Sequence, residues 1–338
     1  MAHDDPSSRP RKADHLRIAA EPGIEHHGGS GLEAVRLRHR ALPGRDLDEV
    51  ALACDLLGAR LGAPLLVSAM TGGTEQAEAV NRRLIDAAVE HRIALVLGSG
   101  RPLLDDPALL PTYRPPGSAR PPLLLANLGA AQVRGPAAAI RAERLVELLD
   151  ADGLSIHLNP VQEAVQPEGE PEFAGVLKGI AAVVARLAPR PVVVKEVGFG
   201  LDAEDVRELA AAGVAAVDVA GAGGTNWALI EGRRDTRAGA VAAAFADWGT
   251  STTASLAGAL AAAPGLPVIA SGGLRDGVDA AKCLALGATA AGLARPFLIA
   301  ARDDRAGAAV GAVIAQLRVA TWAAGAGSTA ALGAEHLR

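Results

Sequence analysis

The chain has 338 residues, half of them hydrophobic, with 33 Lys and Arg against 38 Asp and Glu. That apolar fraction and balanced charge exclude a disordered chain, and a formal net charge of −5 leaves no basic field to attract nucleic acid. Aromatics make up only 2%, too few for base-stacking platforms.

The 39 glycines, about 12% against the usual 7% or so, imply a core of Ala, Val, Leu and Ile punctuated by tight turns. The length suits one or two domains, or a single α/β barrel. Cys54 and Cys283 are the only cysteines. They cannot build a disulfide framework or a four-thiolate zinc site, and they point to a reducing, cytoplasmic setting. The polar opening DDPSSRPRKADHLR has no apolar leader core. Apolar runs break before a membrane span accumulates, so no span is expected.

In chain order, residues 1–60 read as an N-terminal extension. It carries His15, His26, His27 and His39, a flexible Gly28–Gly31 segment, and Leu37–Ala41 leading into a turn at Pro43–Gly44. Residues 61–338 alternate short apolar runs with helical stretches. The predicted strands are Pro64–Ala69, Ile93–Leu97, Leu123–Ala126, Gly153–Leu158, Pro191–Glu196, Ala215–Val219, Pro267–Ser271 and Thr289–Leu293. They are continuously apolar, as buried parallel strands are. The predicted helices are Glu75–Glu90, Arg141–Leu149, Ala174–Leu187, Ala203–Ala212, Thr252–Ala263, Gly277–Leu286 and Gly307–Trp322. Eight βα units in one domain favour a (β/α)8 barrel over an open doubly wound sheet.

A barrel places its chemistry in the loops after the strands. Almost every such loop here joins glycine to a polar group: SAMTGG (68–73), GSGR (98–101), NLG (127–129), HLNPVQE (157–163), KE (195–196), AGAGGT (220–225), SGGLR (271–275) and GLAR (292–295). The last two match the usual phosphate cradle of barrels, where glycine amides and a helix N-terminus receive an anion. Lys195 ends a run of valines. It reads either as a lysine snorkelling to the rim or as a cation facing a ligand, with Glu196 a possible partner. Glu163 is a hard oxygen ligand suited to Mg²⁺, which takes one or two carboxylates plus substrate phosphates. Taken alone, Arg11 and Lys12 read as a solvated charged tail.

Together the motifs resemble type II, FMN-dependent isopentenyl-diphosphate isomerases from about residue 11 to residue 298. The stretches are RKADHL (11–16), APLLVSAMTGGTEQA (63–77), LGSGR (97–101), LLANLGA (124–130), DGLSIHLNPVQEAVQPEG (152–169), VVVKEVGFG (192–200), DVAGAGGTNWA (218–228) and VIASGGLRDGVDAAKCLALGA (268–288). The resemblance implies an isomerase of isoprenoid biosynthesis that interconverts isopentenyl and dimethylallyl diphosphate on reduced FMN and Mg²⁺. NADPH would serve as flavin reductant, and the chains would form a homo-oligomer.

The same resemblance assigns Ala69, Met70, Thr71, Ser99, Asn127, Lys195 and Thr225 to the flavin, and Gly273, Arg275, Ala294 and Arg295 to its phosphate. It assigns Arg11, Lys12, Arg101, His157, Asn159 and Gln162 to the substrate and Glu163 to the metal. Gln162 and Lys195 would be catalytic, and the segment at Arg11–Lys12 would become a lid. The chain departs from the pattern at Gly100, where a larger residue such as Gln is usual and a side chain beside the substrate is expected to be lost, and at Asn226. Three alternatives remain open from residues alone: a paralogue acting on another prenyl diphosphate, an FMN-dependent oxidoreductase, and a non-catalytic flavin-binding barrel. An oxidoreductase of this type needs a His–Arg pair or a loop cysteine at the strand ends.

Overall fold

Strands apolar on both faces need cover on both faces, and here they close on themselves to obtain it. The computed structural model describes residues 8–338. A short antiparallel hairpin comes first, β1 (Cys54–Leu56) with β2 (Ala59–Leu61). Eight parallel strands follow: β3 (Leu65–Val67), β4 (Ala94–Val96), β5 (Leu124–Gly129), β6 (Gly153–His157), β7 (Val192–Lys195), β8 (Ala216–Asp218), β9 (Val268–Ala270) and β10 (Ala290–Leu293). β10 pairs back onto β3, with Gly292 opposite Leu66, and closes the (β/α)8 barrel. Each expected strand forms. Most are a residue or two shorter than expected, and β5 runs on to Gly129.

The two-residue period of a strand sorts the side chains. Leu65, Val67, Leu95, Leu124, Val192, Val194 and Val217 join the core beneath the outer helices. Leu66, Ala94, Val96, Leu125, Val193, Ala216, Ile269 and Ala290 fill the barrel itself, plugged at one end by Leu56 and Leu61 of the hairpin. The same alternation decides what stands at the other end. Ser68, Asn127, His157, Lys195 and Asp218 continue the interior rows into the C-terminal mouth.

The outer helices are α2 (Glu75–Glu90), α4 (Ala138–Leu148), α6 (Val176–Leu187), α7 (Ala203–Ala211), α10 (Thr252–Ala262), α11 (Gly277–Ala285) and α13 (Ala306–Ala323). α2 has the bounds its periodicity predicts, capped by Thr74, whose hydroxyl accepts from Ala77 N at 3.2 Å. α13 is long and apolar enough to cross a membrane by length and composition. It carries Gln316 and Arg318 and packs on α11 and α2.

The sequence reading missed α1 (Ser8–Ile18), α3 (Arg101–Asp105), α5 (Pro160–Val165), α8 (Trp227–Arg234), α9 (Gly239–Ala244) and α12 (Arg295–Arg302). Five of the six have eight residues or fewer, too short to show a helical period. α1 is longer but polar, so it has no apolar stripe to read.

Between α1 and the hairpin the chain runs along the barrel wall as a strap. His26 N donates to Gly224 O at 2.9 Å, Asn226 N to Ile24 O at 2.7 Å, Arg38 N to His336 O at 2.7 Å and Ala51 N to Gly327 O at 3.0 Å. The Gly28–Gly31 segment is therefore held in place, contrary to its expected flexibility. Ser30 is fully buried, and its carbonyl accepts from Thr253 N at 3.1 Å. Gly31 is required there: its φ is +83°, and a Cβ would lie 1.9 Å from Thr253 Oγ1. The turn at Pro43–Gly44 forms as expected, with Gly44 at φ +77°.

Candidate active site

The mouth of the barrel opens into a cavity of about 550 Å³. Every residue expected at the site lines it. These are Arg11 and Lys12 from α1, Ala69, Met70 and Thr71 after β3, Ser99 and Arg101 after β4, and Asn127 on β5. They continue with His157 on β6, Asn159, Gln162 and Glu163 after it, Lys195 on β7, Thr225 after β8, Gly273 and Arg275 after β9, and Ala294 and Arg295 after β10. Trp227 is the one Phe, Trp or Tyr in this lining, as the scarcity of aromatics foretold.

Two glycine loops interlock on one side. A Cβ on Gly272, at φ +97°, would lie 2.1 Å from Gly221 O, and one on Gly224 would lie 2.5 Å from Gly273 N. Side chains are excluded at these points, so backbone forms the wall, as an anion cradle requires. Arg295 closes this side. Its Nη1 pairs with Glu25 Oε1 at 2.6 Å, and it donates to Ala19 O and Glu21 O, each at 2.9 Å. Arg275 pairs with the buried Asp279 at 2.8 Å, and its own side chain is mostly exposed.

Lys195 ends β7, the strand beside β8. Glu196 is not its carboxylate partner, contrary to expectation. The Glu196 side chain turns back to accept the N–H groups of Val197, Gly198 and Phe199, and Lys195 Nζ donates to the Glu196 carbonyl. Burial pushes the Glu196 carboxyl up to about 7 despite those donors. Asp218, the neighbour of Lys195 across the β7–β8 ladder, is a second buried carboxyl near it; burial raises its pKa, and it accepts from Ser271 Oγ at 2.6 Å. On this side of the lining two buried polar atoms have no partner among the described residues, Asn127 Nδ2 and Ser68 Oγ. Such orphans are costly unless a ligand meets them. A backbone cradle, a lysine and two free polar atoms fit the phosphate and ring of a flavin mononucleotide.

The other side is a polar network. Asn159 Nδ2 donates to Glu163 Oε1 at 2.9 Å and to Gln162 Oε1 at 3.2 Å. Glu163 Oε2 accepts from Glu170 N at 2.8 Å, and Glu170 pairs with Arg101 at 2.7 Å. Asn159 Oδ1 is buried and has no partner among the described residues. Among the described residues no three His, Cys, Asp or Glu converge as a ready-made metal cage. Glu163, whose oxygens accept here from Asn159 Nδ2 and Glu170 N, offers a single carboxylate, and Mg²⁺ takes one or two carboxylates with the rest of its shell from substrate and water.

His157 Nδ1 lies 2.8 Å from Asn127 Oδ1, which fixes the ring. Desolvation, and then the charges of Lys195 and Lys12, bring its pKa down to about 3, so the imidazole is neutral.

Glu231, on α8, escaped the sequence reading. It is fully buried and accepts from Gln162 Nε2 at 2.9 Å, with His15 Nε2 at 2.8 Å and Arg234 on its other side. Gln166, in the amide orientation that satisfies both neighbours, donates to Glu231 at 3.2 Å and accepts from Arg11 Nη1 at 3.1 Å. Burial works to raise the Glu231 pKa, but hydrogen bonds from His15, Gln162 and Arg234 carry it below the ordinary carboxylate range. The available signal was a glutamate between Ile230 and Arg234 on the buried face of a short helix that also presents Ala228.

Gly100 corrects one expectation. A Cβ there would meet Leu145 Cδ1 of α4 at 2.5 Å, so position 100 points away from the mouth, and the missing side chain was never beside it. Asn226 caps α8 through Leu229 N at 3.2 Å and binds Phe245 O at 2.8 Å, which makes it a fully buried structural residue. The cysteines stand away from the mouth, Cys54 in the hairpin and Cys283 in α11, with pKa values raised by burial to about 11 and about 12.

A family model described as FMN-dependent dehydrogenase matches residues 175–338. An isopentenyl-diphosphate delta-isomerase of Synechococcus sp. is 46% identical over 327 residues, covering 95% of this chain and 94% of that one. The enzyme of the same name from Xanthobacter autotrophicus is 46% identical over 334 residues and covers 97% of each. Among solved structures, a flavocytochrome b2 mutant with pyruvate bound matches with a TM-score of 0.69 at 18% identity, over 97% of this chain and 82% of that one. Mandelate oxidase with (S)-2-phenylpropionate matches with a TM-score of 0.62 at 21% identity, over 96% and 97%. At such identities these structures share the fold and nothing finer. The likeness to the isomerases, by contrast, runs almost end to end at close to half of all positions, and on that ground the chain belongs to the FMN-dependent isopentenyl-diphosphate delta-isomerase family.

Proposed function

We propose that this protein interconverts isopentenyl diphosphate and dimethylallyl diphosphate at the barrel mouth, with reduced FMN and Mg²⁺ and no net redox change. The observation that carries the reading is the clamped carboxamide of Gln162. It is held by Glu231 and Asn159 and lines the same cavity as Arg11, Lys12, Arg101 and the glycine cradle. An alkene is a poor base and an allylic proton a poor acid, so the reaction needs exact placement of few groups in a site closed to water.

Arg11, Lys12 and Arg101 supply positive charge for a diphosphate, and Asn159 and His157 shape the pocket beside it. Glu163 would hold Mg²⁺ against the diphosphate oxygens and neutralise their charge. Ala69, Met70, Thr71, Ser99, Asn127 and Thr225 would line the flavin, while Gly273, Arg275, Ala294 and Arg295 would hold its phosphate. Bound and reduced, FMN would supply the acid–base group at the reacting carbons. Lys195 would place a positive charge at the ring, and Gln162 would hold the carbon skeleton in register. NADPH enters only as the reductant that loads the flavin. α1, carrying Arg11 and Lys12, would be the lid.

The neutral, weakly basic His157 and the distant cysteines weigh against a hydroxy-acid oxidoreductase. The test is direct. Protein loaded with FMN, reduced, and given Mg²⁺ and isopentenyl diphosphate should yield dimethylallyl diphosphate. Absence of conversion with reduced flavin bound overturns the proposal.

A further inference from the structure

Tyr113 is the chain's one tyrosine, and it is fully buried. Its hydroxyl donates to Ser99 O at 2.7 Å and accepts from Lys12 Nζ at 3.0 Å. Burial raises the phenol's pKa, so it keeps the proton it donates. Lys12 Nζ has three N–H groups, and all are placed: on Tyr113, on Gly72 O at 2.8 Å and on Ser99 O at 2.9 Å. The ammonium also lies 5.4 Å from the Tyr113 ring centroid.

Both carbonyl acceptors are themselves set by Tyr113. The ring lies flat on Gly72, where a Cβ would be 2.0 Å from Tyr113 Cε1, and the hydroxyl pins Ser99. The residue before it, Thr112, binds the same loop through its hydroxyl, which accepts from Gly73 N at 2.8 Å. One side chain thus fixes every acceptor that holds Lys12, and with it the loops after β3 and β4.

We infer that Tyr113 is a positioning residue. It sets Lys12 at the diphosphate end of the site and latches α1 over the mouth, while touching neither substrate nor flavin itself. The inference rests on the functional reading above for the role of Lys12. Its geometric content, the latch on α1, is independent of that reading.

Tyr113→Phe keeps the ring on Gly72 and removes only the hydroxyl. In the FMN-loaded protein with inorganic pyrophosphate, amide hydrogen exchange across Ser8–Ile18 should quicken about tenfold, the cost of losing a hydrogen bond to a charged group. In the isomerase assay KM should rise by about the same factor while kcat and FMN affinity stay within about twofold. Lys12→Met leaves Tyr113 in place, serves if Tyr113→Phe folds poorly, and should quicken the same amides. The double variant should add little to either single one, because both break one contact. Unchanged exchange in α1, or fully additive effects, would overturn the latch. Faster exchange with no isomerase activity in the unaltered protein would leave the latch standing and remove the proposed function instead.

Discussion

At the scale of single residues, the site separates charge from neutrality by environment. Lys12 is brought down to about 7 by burial first, then by Arg11 and Arg101. An arriving diphosphate favours its charged form. The KM for the diphosphate should therefore climb from about pH 6 to about pH 9 as the free enzyme's Lys12 loses its proton. Lys12→Met should start high and lose most of that climb, and a steep rise persisting in the variant would assign it to another group. Glu163 is the only carboxylate expected to meet Mg²⁺. Glu163→Gln should lower kcat/KM at least about a hundredfold at any Mg²⁺ concentration. The flavin's visible absorbance should stay intact, because Glu163 lies on the opposite side of the mouth from the glycine cradle. Survival of Mg²⁺-dependent turnover would refute the assignment.

Elements supply the frame that makes such placement possible. The strand alternation that buries Val193 also delivers Lys195 to the mouth, and the neighbouring ladders deliver His157 and Asp218 beside it. Gly100 shows how an element can dictate a residue that looks functional. It stands where α4 brings Leu145 against the loop after β4. Gly100→Ala should cost about 1–3 kcal/mol of stability by overpacking and leave KM and kcat unchanged. In a Leu145→Ala background the same change should cost close to nothing, read from urea melts of the four proteins. A change in KM from Gly100→Ala alone would return position 100 to the substrate pocket.

The whole molecule behaves as a barrel with its N-terminal strap built in. Ile24 and Leu32 belong to the same core as the barrel helices, and the strap's backbone bonds reach the C-terminal residues Gly327 and His336. Its acid response should carry the mark of the mouth. His157 takes a proton near 6.5 when unfolded but only at about 3 when folded. The unfolded chain therefore binds more protons between those values, so stability is held above about pH 6.5 and lost on acidification below it. The melting temperature should fall more from about pH 7 to about pH 5 in the unaltered protein than in His157→Gln. Equal slopes would mean that the imidazole charges freely in the folded state.

Much of this was legible in the amino-acid sequence because it is local. The eight apolar runs, the helix at Glu75–Glu90 and the polar or glycine-rich strand ends follow from periodicity and turn chemistry, and all the residues that the family likeness assigned to the site line one cavity. What the sequence could not contain is which distant side chains meet. Glu231 on Gln162, Asp218 across the ladder from Lys195, Tyr113 on Lys12 and Leu145 against Gly100 each join segments far apart in the chain. Closure of the barrel decides those pairings, because burial makes a polar group seek whatever partner the fold brings within reach. The sequence by itself determined the eight barrel strands and the chemistry at their ends, but not the hairpin that plugs the barrel. Only the tertiary structure decided which of those groups are held, by what, and with what charge.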